Sequence, residues 1–288
     1  MGVNTRYKDS LFSWLFSDPD TLRELYSAIE GIPLDPSVPI TINTLENVLF
    51  MDRINDISFE IAGKIVVLIE HQSTINPNMA LRLLMYIARV YEKIIGSKNI
   101  YSGKKLIIPQ PEFIVLYNGT APYPDENKLK LSDAFENAAS LGLAQEPVLE
   151  LTVKVYNINE GRNVPLVQGC QRLRGYSAFV ARVREYEKTA TDKATAMKMA
   201  IKYCIEHDIL KELLEANASE VENMLLTEWN WDDALEVRWE EGREEGREEG
   251  REEKALETAK NLLDMGLNLE QIAKGTGLDL ATIQGLSL

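Results

Sequence analysis

The segment from Asn55 to Ser73, NDISFEIAGKIVVLIEHQS, holds two apolar runs on either side of Ala62-Gly63-Lys64. In the first, Ile57, Phe59 and Ile61 alternate with Asp56, Ser58 and Glu60, the two-residue period of a half-buried strand. The second, Ile65 to Ile69, is continuous and rich in β-branched residues, which predicts a strand buried on both faces. Gly63 supplies the turn between them. A three-residue loop at 62–64 pairs Ile61 with Ile65 and, counting outward, Asp56 with Glu70. Directly opposite residues share a face, and Glu70 and Gln72 share one by alternation. A two-residue loop would turn Asp56 to the other side. Clustering of two carboxylates and a carboxamide at one end of this hairpin therefore requires the longer turn.

Around the hairpin the pattern is mostly helical. Tyr7, Leu11 and Leu15 have helical spacing. A second helix begins at Asp18-Pro19-Asp20-Thr21, with proline early and acids in the first turn, and stops at Gly31. Residues 32–40 read as irregular and 45–50 as a short strand leading into the hairpin. A long helix is predicted from Asn78 to Ile95, with Leu81, Leu84, Met85, Ala88, Tyr91 and Ile95 as its apolar stripe. Residues 106–108 and 113–117 read as one broken or two short strands, and 149–156 alternates as a half-exposed strand. Between them, 122–146 reads as loop with one short helix at 132–139. From Gln168 to about Val237 the chain is helical, with Trp229 and Trp231 as core anchors near its end.

Two adjacent carboxylates repel, and in a partly buried site they need a cation or a shared proton. Hard oxygen ligands suit Mg²⁺ or Mn²⁺, which can polarise a phosphodiester and lower the pKa of an attacking water. Gln72 can orient that water by hydrogen bonding but donates no positive charge. The plainer alternative is that Asp56 caps a strand and that Glu70 and Gln72 lie solvated beyond its end. Against it, Glu70 directly follows five apolar residues, where a charge without a partner is costly.

An Asp…Glu-x-Gln set on a hairpin followed by a helix resembles the PD-(D/E)XK nuclease core, with Gln where Lys is usual. The strings RINDISFEIAGKIVVLIEHQSTINPNMALRLLMYIARVYEKII, IPQPEFIVLYNG, LKLSDAF, LELTVKVYNIN and EEGREEGREEGR are similar to the bacterial Rpn family of recombination-promoting nucleases and transposase-like proteins. The resemblance implies an α/β fold, a mixed central sheet flanked by helices with a helical C-terminal extension. It also implies a cytoplasmic, Mg²⁺-dependent DNA endonuclease linked to recombination or transposition. Asp56 and Glu70 match the metal-binding acids, and Gln72 matches the position of the catalytic lysine, whose charge is therefore missing. Asn55 replaces the motif's proline. Arg82 and Tyr86, spaced R-x-x-x-Y, resemble a Q-x-x-x-Y pair placed beside the site in some relatives; the alternative is a surface arginine and a core tyrosine. Asp9 matches an assisting acid near the first helix, with a surface charge as the alternative. The rival from another class is a catalytically inactive nuclease fold that binds partners. An RNase H type of transposase needs a third carboxylate at long spacing, and none can be assigned.

The implied domains are 1–237, a nuclease-like domain with a helical cover; 238–254, a low-complexity Glu/Arg/Gly helical spacer; and 255–288, a small helical unit. The spacer repeats Glu-Glu-Gly-Arg, and its glycines each cost a helix about 1 kcal/mol, so alone it should be marginal or frayed. In the last unit, Ala273, Gly277 and Ile283 fit helix-turn-helix spacing. Its second helix carries neither Arg nor Lys, so self-association into a homo-oligomer stands beside DNA binding. The net charge of −14 excludes coating of nucleic acid by bulk electrostatics. Basic residues nonetheless gather at 82–105 and 172–184, as a local groove or as solvated helix faces. No apolar run suits a membrane span, and the widely separated Cys170 and Cys204 read as reduced thiols.

Overall fold

The hairpin forms the middle of a mixed sheet. In the computed structural model, residues 11–43, 56–96, 100–101, 103–136 and 146–286 are described, with the side chains of 56, 225–246, 248–249 and 252–253 excepted. The strands are β1 (Ile40–Ile42), β2 (Asp56–Ile61), β3 (Ile65–Gln72), β4 (Gln110–Tyr117), β5 (Glu126–Lys130) and β6 (Thr152–Asn157). Their order is β1-β2-β3-β4-β6-β5. β3, β4 and β6 run parallel, and β1, β2 and β5 are antiparallel to their neighbours. The expected strand at 45–50 lies outside the described residues. β1 and β5 are additions to the sequence reading. β1 is three residues long, and β5 reads Glu-Asn-Lys-Leu-Lys with a largely exposed edge, so neither has an apolar run to announce it. The helix expected at 132–139 is a single 3₁₀ turn, Leu131–Ala134, among the described residues.

Helices cover both faces. On one lie α1 (Leu11–Leu15), α2 (Pro19–Glu30), α5 (Gln171–Glu187) and α6 (Lys193–Glu206). Their side chains pack with Phe59, Val67, Ile69, Ile114 and Leu116 in one core. α2 starts as the sequence predicts. Asp18 accepts from the amides of Asp20 and Thr21 at 3.0 and 3.1 Å, Pro19 opens the helix, and Gly31 ends it at φ 67°. On the other face α3 (Met79–Ile95) packs over Val66, Leu68, Val115, Tyr117, Val153 and Val155.

The predicted stripe of α3 is shifted by about one residue from the buried one, with only Leu84 and Tyr91 of it packing at the core's edge. The helix buries Met79, Ala80, Leu83, Tyr86, Ile87 and Val90, whereas Leu81, Met85 and Ala88 are exposed. This helix is apolar on more than one side, so periodicity alone admits two stripes; the surface offered by β3 and β4 selects one. Cys170 and Cys204 are buried free thiols, both pushed up to about 12 by burial.

After α4 (Val164–Gly169), α5 and α6, the helix α7 (Lys211–Asp264) runs through the Glu-Glu-Gly-Arg repeat, with non-helical angles at Asn217. The repeat is helical, as expected of the spacer, although in isolation it should fray. Helix continues on both sides of it, so no new nucleus has to form there. The chain divides into two compact units, Met1–Trp229 and Asn230–Leu288. In the second, Ala259, Ile272 and Ile283 are fully buried between the end of α7, α8 (Leu269–Thr276) and α9 (Leu280–Gly285). Asn268 and Gln271 form a capping box, and Gly277 ends α8 at φ 76°. Gly277 thus marks the turn between α8 and α9, and Ile283 is the buried residue of α9. The side chains of Trp229 and Trp231 lie outside the described set. Among the described residues no helix is long and apolar enough to cross a membrane.

Candidate functional site

The site begins with the turn. Ala62 and Gly63 both have positive φ, 50° and 64°, and the Lys64 amide donates to the Ile61 carbonyl at 2.9 Å. Lys64 is the extra residue that makes the loop three long. Ile61 consequently faces Ile65, and Asp56 faces Glu70. The register is the one that the clustering of the acids requires. Asp56 is fixed here by its backbone pairing alone; Asp9 lies outside the described residues.

Glu70 and Gln72 end β3 on the face covered by α3, and both are buried. Gln72 Nε2 donates to Glu70 Oε1 at 3.0 Å and lies 2.8 Å from the Met79 sulfur. The same carboxylate oxygen receives a guanidinium nitrogen of Arg82 at 2.8 Å. Arg82 also donates to the Tyr86 hydroxyl at 3.0 Å and touches the Met79 sulfur at 3.4 Å. Met79, Arg82 and Tyr86 recur at three and four residues along α3, so one stripe of the helix supplies all three contacts. The Glu70 side chain is 3% exposed and that of Arg82 23%. A carboxylate taken this far from water needs an opposite charge close by, and the arginine supplies it. Arg82 is therefore no plain surface residue, and Tyr86 is in the core and at the site together.

His71 lies between Glu70 and Gln72 in sequence and on the other side of the sheet. Its Nε2 is 3.1 Å from the Tyr176 hydroxyl, and its ring stacks on Phe12 with centroids 4.7 Å apart. Burial, and secondarily the charge of Arg184, push its pKa down to about 3. It is a neutral core histidine at ordinary pH.

The carboxyl ends of the parallel strands form one edge, where Gln72, Tyr117 and Asn157 stand in register. The Asn118 amide donates to the Gln72 carbonyl at 2.8 Å. Arg184 donates to Asn159 Oδ1 at 2.8 Å and to the side chain and carbonyl of Asn118. A cavity of about 630 Å³ opens there, lined by Tyr123, Asn157, Asn159, Arg162, Arg184 and Lys188 among others. Its charge is mixed. Glu160 and Glu187 also line it, and Arg162 is paired with Asp125 at 3.0 Å. The basic run at 172–184 is likewise offset: Arg182 pairs with Glu160 and Glu185, and Arg172 reaches Asp18 at 3.9 Å. Sequence reading missed this asparagine cluster because its members come from separate strands and show no spacing.

The donor chemistry suits a hard divalent cation. Among the described residues no three His, Cys, Asp or Glu side chains gather; Mg²⁺, which keeps several waters, commonly takes only one or two carboxylates. Ser58 is buried on β2, two residues from Asp56, and its hydroxyl has no hydrogen-bond partner among the described residues. Its paired residue Leu68 belongs to the α3 side of the sheet, so the hydroxyl is on the face of Glu70, where bound water can satisfy it.

A comparison with protein families matches residues 47–167 to the one described as Putative transposase, YhgA-like. No curated protein and no solved structure gives a significant match.

Proposed function

We propose that this chain, whose residues 47–167 belong to the YhgA-like family of putative transposases, is a metal-dependent endonuclease of the PD-(D/E)XK kind that hydrolyses DNA phosphodiesters. One observation carries the reading: Asp56 stands opposite Glu70 at the end of a buried hairpin, with Gln72 bonded to Glu70. In this reading Asp56 and Glu70 hold Mg²⁺ or Mn²⁺. The cation supplies Lewis-acid polarisation of the phosphoryl group and acidifies the attacking water. Gln72 spends its amide nitrogen on Glu70 and Met79, so its carbonyl oxygen is the atom that accepts from that water and orients it. Arg82 contributes the positive charge that glutamine at position 72 cannot. The family supports a role in transposition or recombination; the DNA substrate and the cytoplasmic setting belong to this proposal.

A second reading, a catalytically inactive nuclease fold that binds partners, is favoured by the Arg82–Glu70 ion pair. That pair neutralises the carboxylate without any metal. Nicking of supercoiled plasmid by the purified chain in Mg²⁺ or Mn²⁺ separates the two. Cleavage is expected, reduced by about 10²–10³-fold in Asp56→Ala and in Glu70→Ala, the scale of losing one charge-stabilising group. No cleavage by the unaltered chain in either metal, on duplex or single strands, leaves the inactive fold.

A further inference from the structure

We infer that Arg82 is the resident counter-ion of Glu70 before a divalent cation arrives, and that the arriving cation releases the Arg82 guanidinium to a substrate phosphate. The inference rests on the metal-dependent reading above and gives that site a built-in coupling between metal and substrate.

The geometry shows why the two cations compete. Glu70 Oε1 takes both the Arg82 guanidinium at 2.8 Å and the Gln72 amide at 3.0 Å. The carboxylate is 3% exposed, so it is held in place by opposite charge and hydrogen bonds rather than by water. A dication using this carboxylate takes over the neutralising role of Arg82. Two ligands that share one partner weaken each other reciprocally.

The release has a direction. Arg82 projects from α3 on a long side chain that remains 23% exposed, and its guanidinium also bonds to Tyr86 one turn along the same helix. Freed from Glu70, the guanidinium keeps Tyr86 as a pivot at the rim of the site. A planar guanidinium matches two phosphate oxygens at once, which a lysine ammonium cannot do. A chain that carries glutamine at position 72 thereby brings positive charge to the substrate only once the metal is in place.

The test uses the full chain, freed of metal, in four forms: unaltered, Arg82→Gln, Arg82→Lys and Glu70→Gln. Mn²⁺ is titrated and free Mn²⁺ is read by electron paramagnetic resonance. The relevant binding event is the one that Glu70→Gln removes, which sets aside Mn²⁺ held by the acidic repeat. Arg82→Gln is expected to bind Mn²⁺ about tenfold more tightly than the unaltered chain, within the ordinary range of coupling between sites, with Arg82→Lys between them. In a second arm, anisotropy of a short labelled duplex is measured in Ca²⁺. There Arg82→Gln is expected to bind about tenfold more weakly, one good charge-assisted contact, and Arg82→Lys to recover part. Circular dichroism and melting establish that each variant is folded; if Arg82→Gln is not, Arg82→Lys carries both comparisons. Equal or weaker Mn²⁺ binding in the folded variant, with the event present in the unaltered chain, overturns the competition and leaves the metal site standing. Unchanged duplex affinity overturns the release to phosphate. Absence of any Mn²⁺ event that Glu70→Gln removes overturns both this inference and the nuclease reading.

Discussion

Three consecutive buried residues at the end of β3 meet two different environments. On one side Glu70 and Gln72 face Met79, Arg82 and Tyr86 of α3. On the other, His71 is sealed by Phe12 of α1 and Tyr176 of α5. All three side chains are about equally hidden from water. What differs is what the partner helices place in direct contact: α3 puts a cation on the carboxylate, while α1 and α5 put rings on the histidine. One face therefore keeps an ion pair, and the other drives its titratable group to the neutral form. Burial alone does not decide whether a polar side chain becomes a charged site or part of a core; the groups opposite it decide.

The two faces are held in line by the backbone at the strand ends, and Gly119 is the tightest point of that seam. A Cβ there would stand 1.9 Å from the Ser73 carbonyl oxygen and 2.4 Å from the Tyr117 hydroxyl. The obstacle includes backbone, so it cannot be relieved by a side chain turning away. Gly119→Ala is expected to cost about 3 kcal/mol, the upper end of overpacking effects, read as a lowered midpoint of urea unfolding with unchanged slope. A loss under about 1 kcal/mol means that the ends of β3 and β4 adjust freely, and the fixed opposition of the two faces fails with it.

A smaller effect sharpens the contrast from the sealed side. His71 has a folded pKa of about 3 against an ordinary value near 6.5. Above about 6.5 both states are neutral and the group contributes no pH dependence. Between about 6.5 and 3 the unfolded chain binds a proton that the folded chain does not, so stability falls as pH falls, by up to about 1.4 kcal/mol per unit. His71→Gln keeps a polar partner for Tyr176 and cannot titrate. The difference in pH slope between this variant and the unaltered chain, from chemical unfolding between pH 7 and 4.5, isolates the histidine. Identical slopes mean that His71 is charged in the fold and that the faces are alike.

Much of this arrangement is legible in the sequence, and the exceptions have physical reasons. The hairpin is written in its change from alternating to continuous apolar residues, and Gly63 marks the turn. The register follows because only one loop length brings the two acids opposite each other. The family resemblance brings Arg82 and Tyr86 into view, although it says nothing of the ion pair, which depends on how α3 is rotated. Ser58 looks like one more polar position in an alternating strand; that α3 covers it is a tertiary fact. Arg184 of α5 and its asparagines come together only when the ends of β4 and β6 meet under that helix. β5 has a single apolar residue, Leu129, on its inner side, too little for a local signal.

The rotation of α3 yields the smallest predicted effect and the most informative one. Adjacent helix positions are separated by about 100°, so the apolar stripe read from the sequence and the stripe that is buried differ by about one residue's rotation. Met85 is 58% exposed, whereas Leu83, two residues earlier, is 1% exposed. Met85→Ala should therefore change stability by less than about 0.5 kcal/mol, as at an ordinary surface position. Equilibrium urea unfolding of this one variant reads it directly. A loss several times larger would mean that Met85 points inward. The same rotation would carry Arg82 and Tyr86 away from Glu70, because all three positions move together on a rigid helix. The buried carboxylate would then lack the partner helix that distinguishes its face from that of His71. An unremarkable methionine is in this way the simplest probe of whether the polar face exists as described.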